Sequence, residues 1–123
     1  MKISRSTVIP YTTKDGSLIR ELAHPHRHGW PGKLSLAEAT VAVGRETMLH
    51  RHLESDEIYH ILAGEGILIL GQEKFQATKG DTLVIPAGTK HRLRNSGTVD
   101  LVVLCCCAPP YRHGDTELVE DED

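Results

Sequence analysis

The chain has 123 residues, 39% hydrophobic and 25% charged, proportions that suit one folded domain with its own core and exclude a disordered or fibrous chain. The net charge is −3, set by 14 Lys and Arg against 17 Asp and Glu, and six of the acids fall from Asp115 onward with no Lys or Arg among them. The remaining body is only mildly basic and carries no surface of the kind nucleic acids select.

No apolar run reaches membrane-spanning length and no charged-then-apolar leader opens the chain, which predicts a cytoplasmic protein that avoids membranes. With one Trp, three Tyr and one Phe, the core must rest on Val, Ile, Leu and Ala. Residues 1–11 read as an edge strand or arm, and residues 14–17 as a turn. Residues 17–23 suit either a short helix or a strand, because seven residues are too few for periodicity to decide. Residues 24–32 are rich in Pro and Gly and read as a loop. His24, His26 and His28 invite a second metal site, but Pro25 and Gly29 make the backbone irregular. A surface loop is the simpler reading. The functional alternative is a lid, in which one of these histidines or Trp30 closes over a ligand.

Residues 34–43 form a strand with Ser35, Ala37, Ala39, Val41 and Val43 on one face. Gly44 marks a turn or bulge. Glu46, Met48, His50 and His52 then alternate, so the two histidines converge on one point with Met48 beside them. Neutral imidazole suits Zn, Cu, Fe and Ni, and an added carboxylate extends the choice to Mn. Glu57 is far enough along for the chain to turn and bring such a carboxylate back. Glu54 is nearer and is the rival, read as a solvated loop residue. Residues 57–63 form a strand on which Tyr59 and Ile61 share the face of Glu57 and His60 points away.

Glycines at 64 and 66 mark a bend, residues 67–70 and 75–78 are strands joined by a hairpin turn, and residues 79–81 turn again. Residues 82–85 read as a buried strand ended by Pro86. The tight turn Pro86-Ala87-Gly88 aims His91 back at the other candidate ligands, while strand parity turns Arg92 and Arg94 away. Residues 99–107 are an apolar strand stopped by Pro109 and Pro110. Its cysteines read as small buried hydrophobes, Cys105 and Cys107 on one face and Cys106 on the other. Consecutive cysteines are poorly placed to bridge one another. Residues 113–123 are polar and read as frayed or draped on the surface. The chain thus divides into an arm and loop (1–33), a core (34–110) and an acidic tail (111–123).

Two stretches carry a specific resemblance. Gly-x5-His-x-His-x4-Glu-x6-Gly runs from Gly44 to Gly64, and Gly-x5-Pro-x-Gly-x2-His-x3-Asn from Gly80 to Asn95. Both resemble the signature motifs of the cupin superfamily, with every fixed position present. The resemblance implies an all-β fold, the double-stranded β-helix or jelly-roll barrel. It implies one divalent transition metal per chain (Fe, Mn, Zn or Ni) on His50, His52, Glu57 and His91, and association as a homodimer. Open positions on such an ion suit a small polar metabolite that chelates through two oxygens. Strand parity offers no base except Tyr59 and no phosphate clamp, which favours a metalloenzyme of oxygenase (dioxygenase) type. The alternatives are an isomerase of the mannose-6-phosphate isomerase type and a non-catalytic module that binds or senses a small ligand.

Overall fold

A computed structural model describes residues 1–120; Asp121, Glu122 and Asp123, the end of the predicted acidic tail, lie outside the described residues. Eleven strands build two antiparallel sheets, as the alternating sequence predicts. The larger contains β1 (Tyr11–Thr12), β2 (Leu18–Ala23), β3 (Ser35–Val41), β5 (Asp56–Ala63), β8 (Thr82–Ile85) and β10 (Leu101–Ala108), in the order β1-β2-β3-β10-β5-β8. The smaller contains β4 (His50–His52), β6 (Glu65–Leu70), β7 (Glu73–Thr78), β9 (His91–Asn95) and β11 (Thr116–Leu118), in the order β11-β4-β9-β6-β7. The sheets pack face to face: Ile61, Leu101 and Val103 from one and Leu68 and Leu93 from the other are at most 2% exposed.

Inward positions of the larger sheet fall into rows set by strand register. Ile19, Ala39, Val103 and Ile61 form one row; Glu21, Ala37, Cys105 and Tyr59 the next; Ser35, Cys107 and Glu57 a third. The first row meets Leu68 and Leu93 within one apolar cluster. The other two rows carry Ala37, Ser35 and two cysteines, and these small side chains line a cavity together with Ile19 and Ala39 of the first row. Small side chains on adjacent strands therefore determine where the cavity lies.

Several expectations are corrected. Residues 17–23 resolve to a strand, because pairing along β3 supplies the hydrogen bonds that local periodicity could not assign. Met48 does not line the cavity: strand pairing is interrupted between an isolated bridge at Glu46 and β4, so Thr47 faces inward and Met48 is 54% exposed. β8 is an edge strand rather than a buried one, with Thr82 and Val84 exposed and only Ile85 buried. The barrel also reaches beyond residues 34–110, since β2 joins the larger sheet and β11 the smaller.

The segment read as a loop at residues 24–32 contains a short helix, α1 (Pro25–His28), and the side chains of His24 and His28 serve the backbone. His24 is buried rather than on the surface. Its Nδ1 accepts from the His26 amide at 3.2 Å, and its Nε2 donates to the Tyr111 carbonyl at 2.8 Å. His28 Nδ1 accepts from the His24 amide. These are capping contacts and leave His24 no free nitrogen for an ion.

Candidate metal site

His50 and His91 are register partners on β4 and β9, and His52 follows two residues after His50, so one sheet presents three imidazoles on its inner face. Glu57 approaches from β5 in the other sheet. The turn before His91 is fastened to the same site: the Gly88 amide donates to the His52 carbonyl at 2.7 Å, and the Ala87 amide to Asp56 Oδ1 at 2.9 Å. Gly88 holds a φ of 81°, which a side chain would strain.

One nitrogen of each histidine is already engaged. Nδ1 of His50 donates to the Met48 carbonyl at 2.7 Å, and Nδ1 of His91 to the Thr89 carbonyl at 3.0 Å. His52 Nδ1 meets the Thr116 hydroxyl at 3.1 Å, and that hydroxyl donates its own proton to the Arg112 carbonyl. Each imidazole therefore keeps Nε2 for another partner, the arrangement in which histidine ligates metal. The three rings offer donor atoms that lie within 4.8 Å of one another, all buried. His91 Nε2 is buried without a hydrogen-bond partner among the described residues. Glu57 Oε1 stands 3.1 Å from His52 Nε2 and 3.4 Å from His91 Nε2. Donors held about 2.1 Å from one ion lie about 3.0–3.4 Å apart, so these residues fit a small divalent metal.

Electrostatics prepare the group unevenly. Burial, then the neighbouring His91, pulls His50 down to about 4, so it is neutral near pH 7. For His52 burial works against the charge, but the hydrogen bond to Glu57 and the nearby carboxylates of Glu57, Asp115 and Asp15 together outweigh it and raise the imidazole. Burial pushes the Glu57 carboxyl up, yet the hydrogen bond from His52 and the closeness of His52 and His91 together win and hold it well below the ordinary carboxylate range. Without metal, His52 and Glu57 form a buried hydrogen-bonded pair in which each favours the other's charged form. Cys107 Sγ donates to Glu57 Oε2 at 3.2 Å, and burial keeps that thiol protonated.

Of the residues predicted for the site, His50, His52, Glu57 and His91 come together. Glu54 is exposed and pairs with Arg112, as a solvated loop residue should. Tyr59 sits beside His91 with ring centroids 6.0 Å apart, but burial and Glu57 push its phenol well above 10, so it cannot serve as a base near neutrality.

Asp15 and Tyr111 are among the residues that escaped the sequence reading. Asp15, taken only as part of a turn between β1 and β2, accepts three hydrogen bonds on Oδ1: from Thr13 Oγ1, the Ser17 amide and Ser17 Oγ. Its Oδ2 is left 3.3 Å from His50 Nε2. The Asp-x-Ser spacing is the signal for the local hydrogen bonds, but nothing in it marks the cavity. Tyr111, assigned to the tail, places its ring 5.9 Å from His52. The cavity these residues surround is about 40 Å³, space for a few water molecules or a ligand of few heavy atoms. It holds Asp15, Glu21 and Glu57, and no lysine or arginine lines it among the described residues.

A jelly-roll barrel carrying three convergent imidazoles and a carboxylate at one end of its interior defines a class of small-molecule-binding barrels. Residues 37–107 match the family described as the cupin domain. The chain belongs to the cupin family. An uncharacterised protein of Methanocaldococcus jannaschii is 52% identical over 120 residues, covering 98% of this chain and 95% of the relative. A solved structure of a predicted oxalate decarboxylase from Thermotoga maritima superposes with a TM-score of 0.77 at 23% identity, covering 89% of this chain and 99% of that one. Streptomyces Pac13, a nucleoside dehydratase, superposes with a TM-score of 0.74 at 17% identity, covering 97% of this chain and 90% of its own. At these identities the two structures speak for the fold alone.

Proposed function

We propose that this chain is an enzyme holding one divalent transition metal (Fe, Mn, Zn or Ni) through His50, His52, Glu57 and His91, and that it acts on a small polar metabolite chelating through two oxygens. The observation that carries this reading is the set of three buried imidazoles, each pinned through Nδ1 with Nε2 turned toward a carboxylate, Asp15 for His50 and Glu57 for His52 and His91, and all three within reach of one ion. Such an ion, when bound, polarises a chelated carbonyl as a Lewis acid.

The chain's own residues supply the remainder. The sequence offers no base but Tyr59 and so favours oxygenation; Asp15 supplies a carboxylate beside the histidines and moves the reading to proton transfer, as in an isomerase. Thr13 and Ser17 hold Oδ1, which leaves Oδ2 to accept a proton from a carbon next to the substrate carbonyl. Tyr59 remains protonated and packs the wall. A phosphorylated sugar is a poor fit, because no lysine or arginine among the described residues lines the cavity to meet the phosphate. The homodimer implied by the resemblance and the cytoplasmic location expected from the sequence belong to the same proposal, and sedimentation velocity tests the dimer.

Metal analysis of untagged protein, beside His50→Ala and His91→Ala, is the deciding experiment. We expect about one ion per chain, lost in both variants. A wild-type chain that takes up no metal even on reconstitution overturns the reading. Asp15→Asn should keep the ion and lose turnover. Loss of the ion in that variant would make Asp15 a ligand, and substrate-dependent oxygen consumption by the wild type would return the reaction to oxygenation.

A further inference from the structure

Glu21 lies on the cavity wall three strands from Glu57, in the row whose neighbours are Ala37 and Cys105. It is 3% exposed. The Tyr11 hydroxyl donates to Oε1 at 2.6 Å, and Tyr11 is in turn covered by the Arg27 guanidinium 4.6 Å above its ring. Oε2 has no hydrogen-bond partner. A buried carboxylate oxygen without a donor is costly, and buried polar atoms left this way in native structures call for a missing partner. The small side chains beside Glu21 leave space for one. No metal ligand is involved: Glu21 belongs to none of the contacts that define the histidine site.

The charge of the cavity narrows what that partner is. Asp15, Glu21 and Glu57 face a common space that no lysine or arginine among the described residues lines; Lys2 and Arg27 share with Glu21 only a separate outer pocket. A divalent ion offsets part of this charge at the histidine end only. A second anionic group on the ligand would meet Glu21 at the other end, and like charges at short range in a poorly solvated cavity repel strongly.

We infer that Glu21 is a second recognition point, accepting a hydrogen bond from a hydroxyl or ammonium group at the end of the substrate remote from the histidines. The substrate class is therefore an uncharged or cationic small molecule with a chelating pair of oxygens at one end and a hydrogen-bond donor at the other. Dicarboxylates and phosphate esters are excluded from it. This inference rests on the metal-dependent reading above, and the test separates the two.

The test uses full-length, untagged, metal-loaded protein and four short α-hydroxyketones whose far ends carry a methyl, hydroxyl, ammonium or carboxylate group. Calorimetry measures each against wild type, Glu21→Gln and Glu21→Leu, with metal content determined for every sample. We expect the hydroxyl or ammonium probe to bind wild type about tenfold more tightly than the methyl probe, and the carboxylate probe to bind weakest. The better of the two donors identifies the remote group. Glu21→Leu should abolish the preference at unchanged metal content, and Glu21→Gln should abolish any preference for ammonium over hydroxyl. If Glu21→Leu does not fold, the glutamine variant carries the test, with the carboxylate probe expected to gain affinity. Metal-loaded wild type that shows no preference among the probes, or one that both variants retain, overturns the inference and leaves the metal site standing. Failure of wild type to hold metal overturns both.

Discussion

Thr116 decides which nitrogen His52 offers, although it lies inside the segment read from the sequence as the tail (111–123). Its hydroxyl proton is committed to the Arg112 carbonyl, so its oxygen accepts from His52 Nδ1 and leaves Nε2 for the ion. Thr116→Val removes that acceptor while keeping shape. We expect metal affinity to fall by about 10–100-fold in titration calorimetry, with the circular dichroism spectrum unchanged. His52 also sets the proton balance of metal uptake. Its raised pKa means that binding must displace a proton. Affinity should therefore rise with pH through that pKa and then level, and calorimetry in buffers of different ionisation enthalpy should detect the released proton. His50 is already neutral and contributes none near pH 7.

At the scale of elements, the link from β4 to β5 is held from outside itself. The Asp115 carboxylate, 2% exposed, accepts from the Glu54 amide at 2.8 Å and the Ser55 amide at 3.0 Å, while β11 pairs with β4. Asp115→Ala leaves both amides without an acceptor and should cost about 1–3 kcal/mol in denaturant unfolding of the metal-free protein. The first motif's two outer glycines differ in kind. Both have positive φ, but a Cβ on Gly44 meets nothing within 4 Å, whereas one on Gly64 lies 2.6 Å from the Asp100 carbonyl oxygen. Gly44→Ala should cost about 1 kcal/mol from backbone conformation. Gly64→Ala adds a clash with main chain on β10's approach and should cost about 2–4 kcal/mol. A thermal melt of each variant checks the order.

For the whole molecule, the buried charges make metal-free stability depend on pH in both directions. His50 is depressed to about 4 from an ordinary 6.5, so the unfolded chain binds the extra proton as pH falls through that window and stability drops. Glu57 is also depressed, and its contribution is lost below the ordinary carboxylate value. His52 is raised, so its contribution is present below about 6.5 and is lost as pH climbs through its folded value. Chelator-treated protein should be most stable near pH 6.5. Metal replaces the His52 proton, so the loaded protein should lose the alkaline decline. Denaturant midpoints from pH 4 to 9, with and without metal, test both limbs. Saturating metal should add about 4 kcal/mol at a thousandfold excess over its dissociation constant.

Most central strands, the shared face of Ser35, Ala37, Ala39 and Val41 on β3, the parity of Tyr59 and His60, and the convergence of His50, His52, Glu57 and His91 were legible because they follow from periods of two residues and from motif spacing. Met48 was misplaced because strict alternation was extended across a break in pairing, which no single segment announces. β8 looked buried because apolar residues read alike at a sheet's edge and centre. Asp15, Glu21 and Tyr111 could not be assigned to the cavity, nor Thr116 to His52, since their roles depend on which strands neighbour one another. The sequence by itself determined the barrel class and the candidate ligands, which are local in period or carried by motif. Only the tertiary structure decided what surrounds those ligands, because β2, the turn before it and β11 reach the site through pairings between residues far apart in the chain.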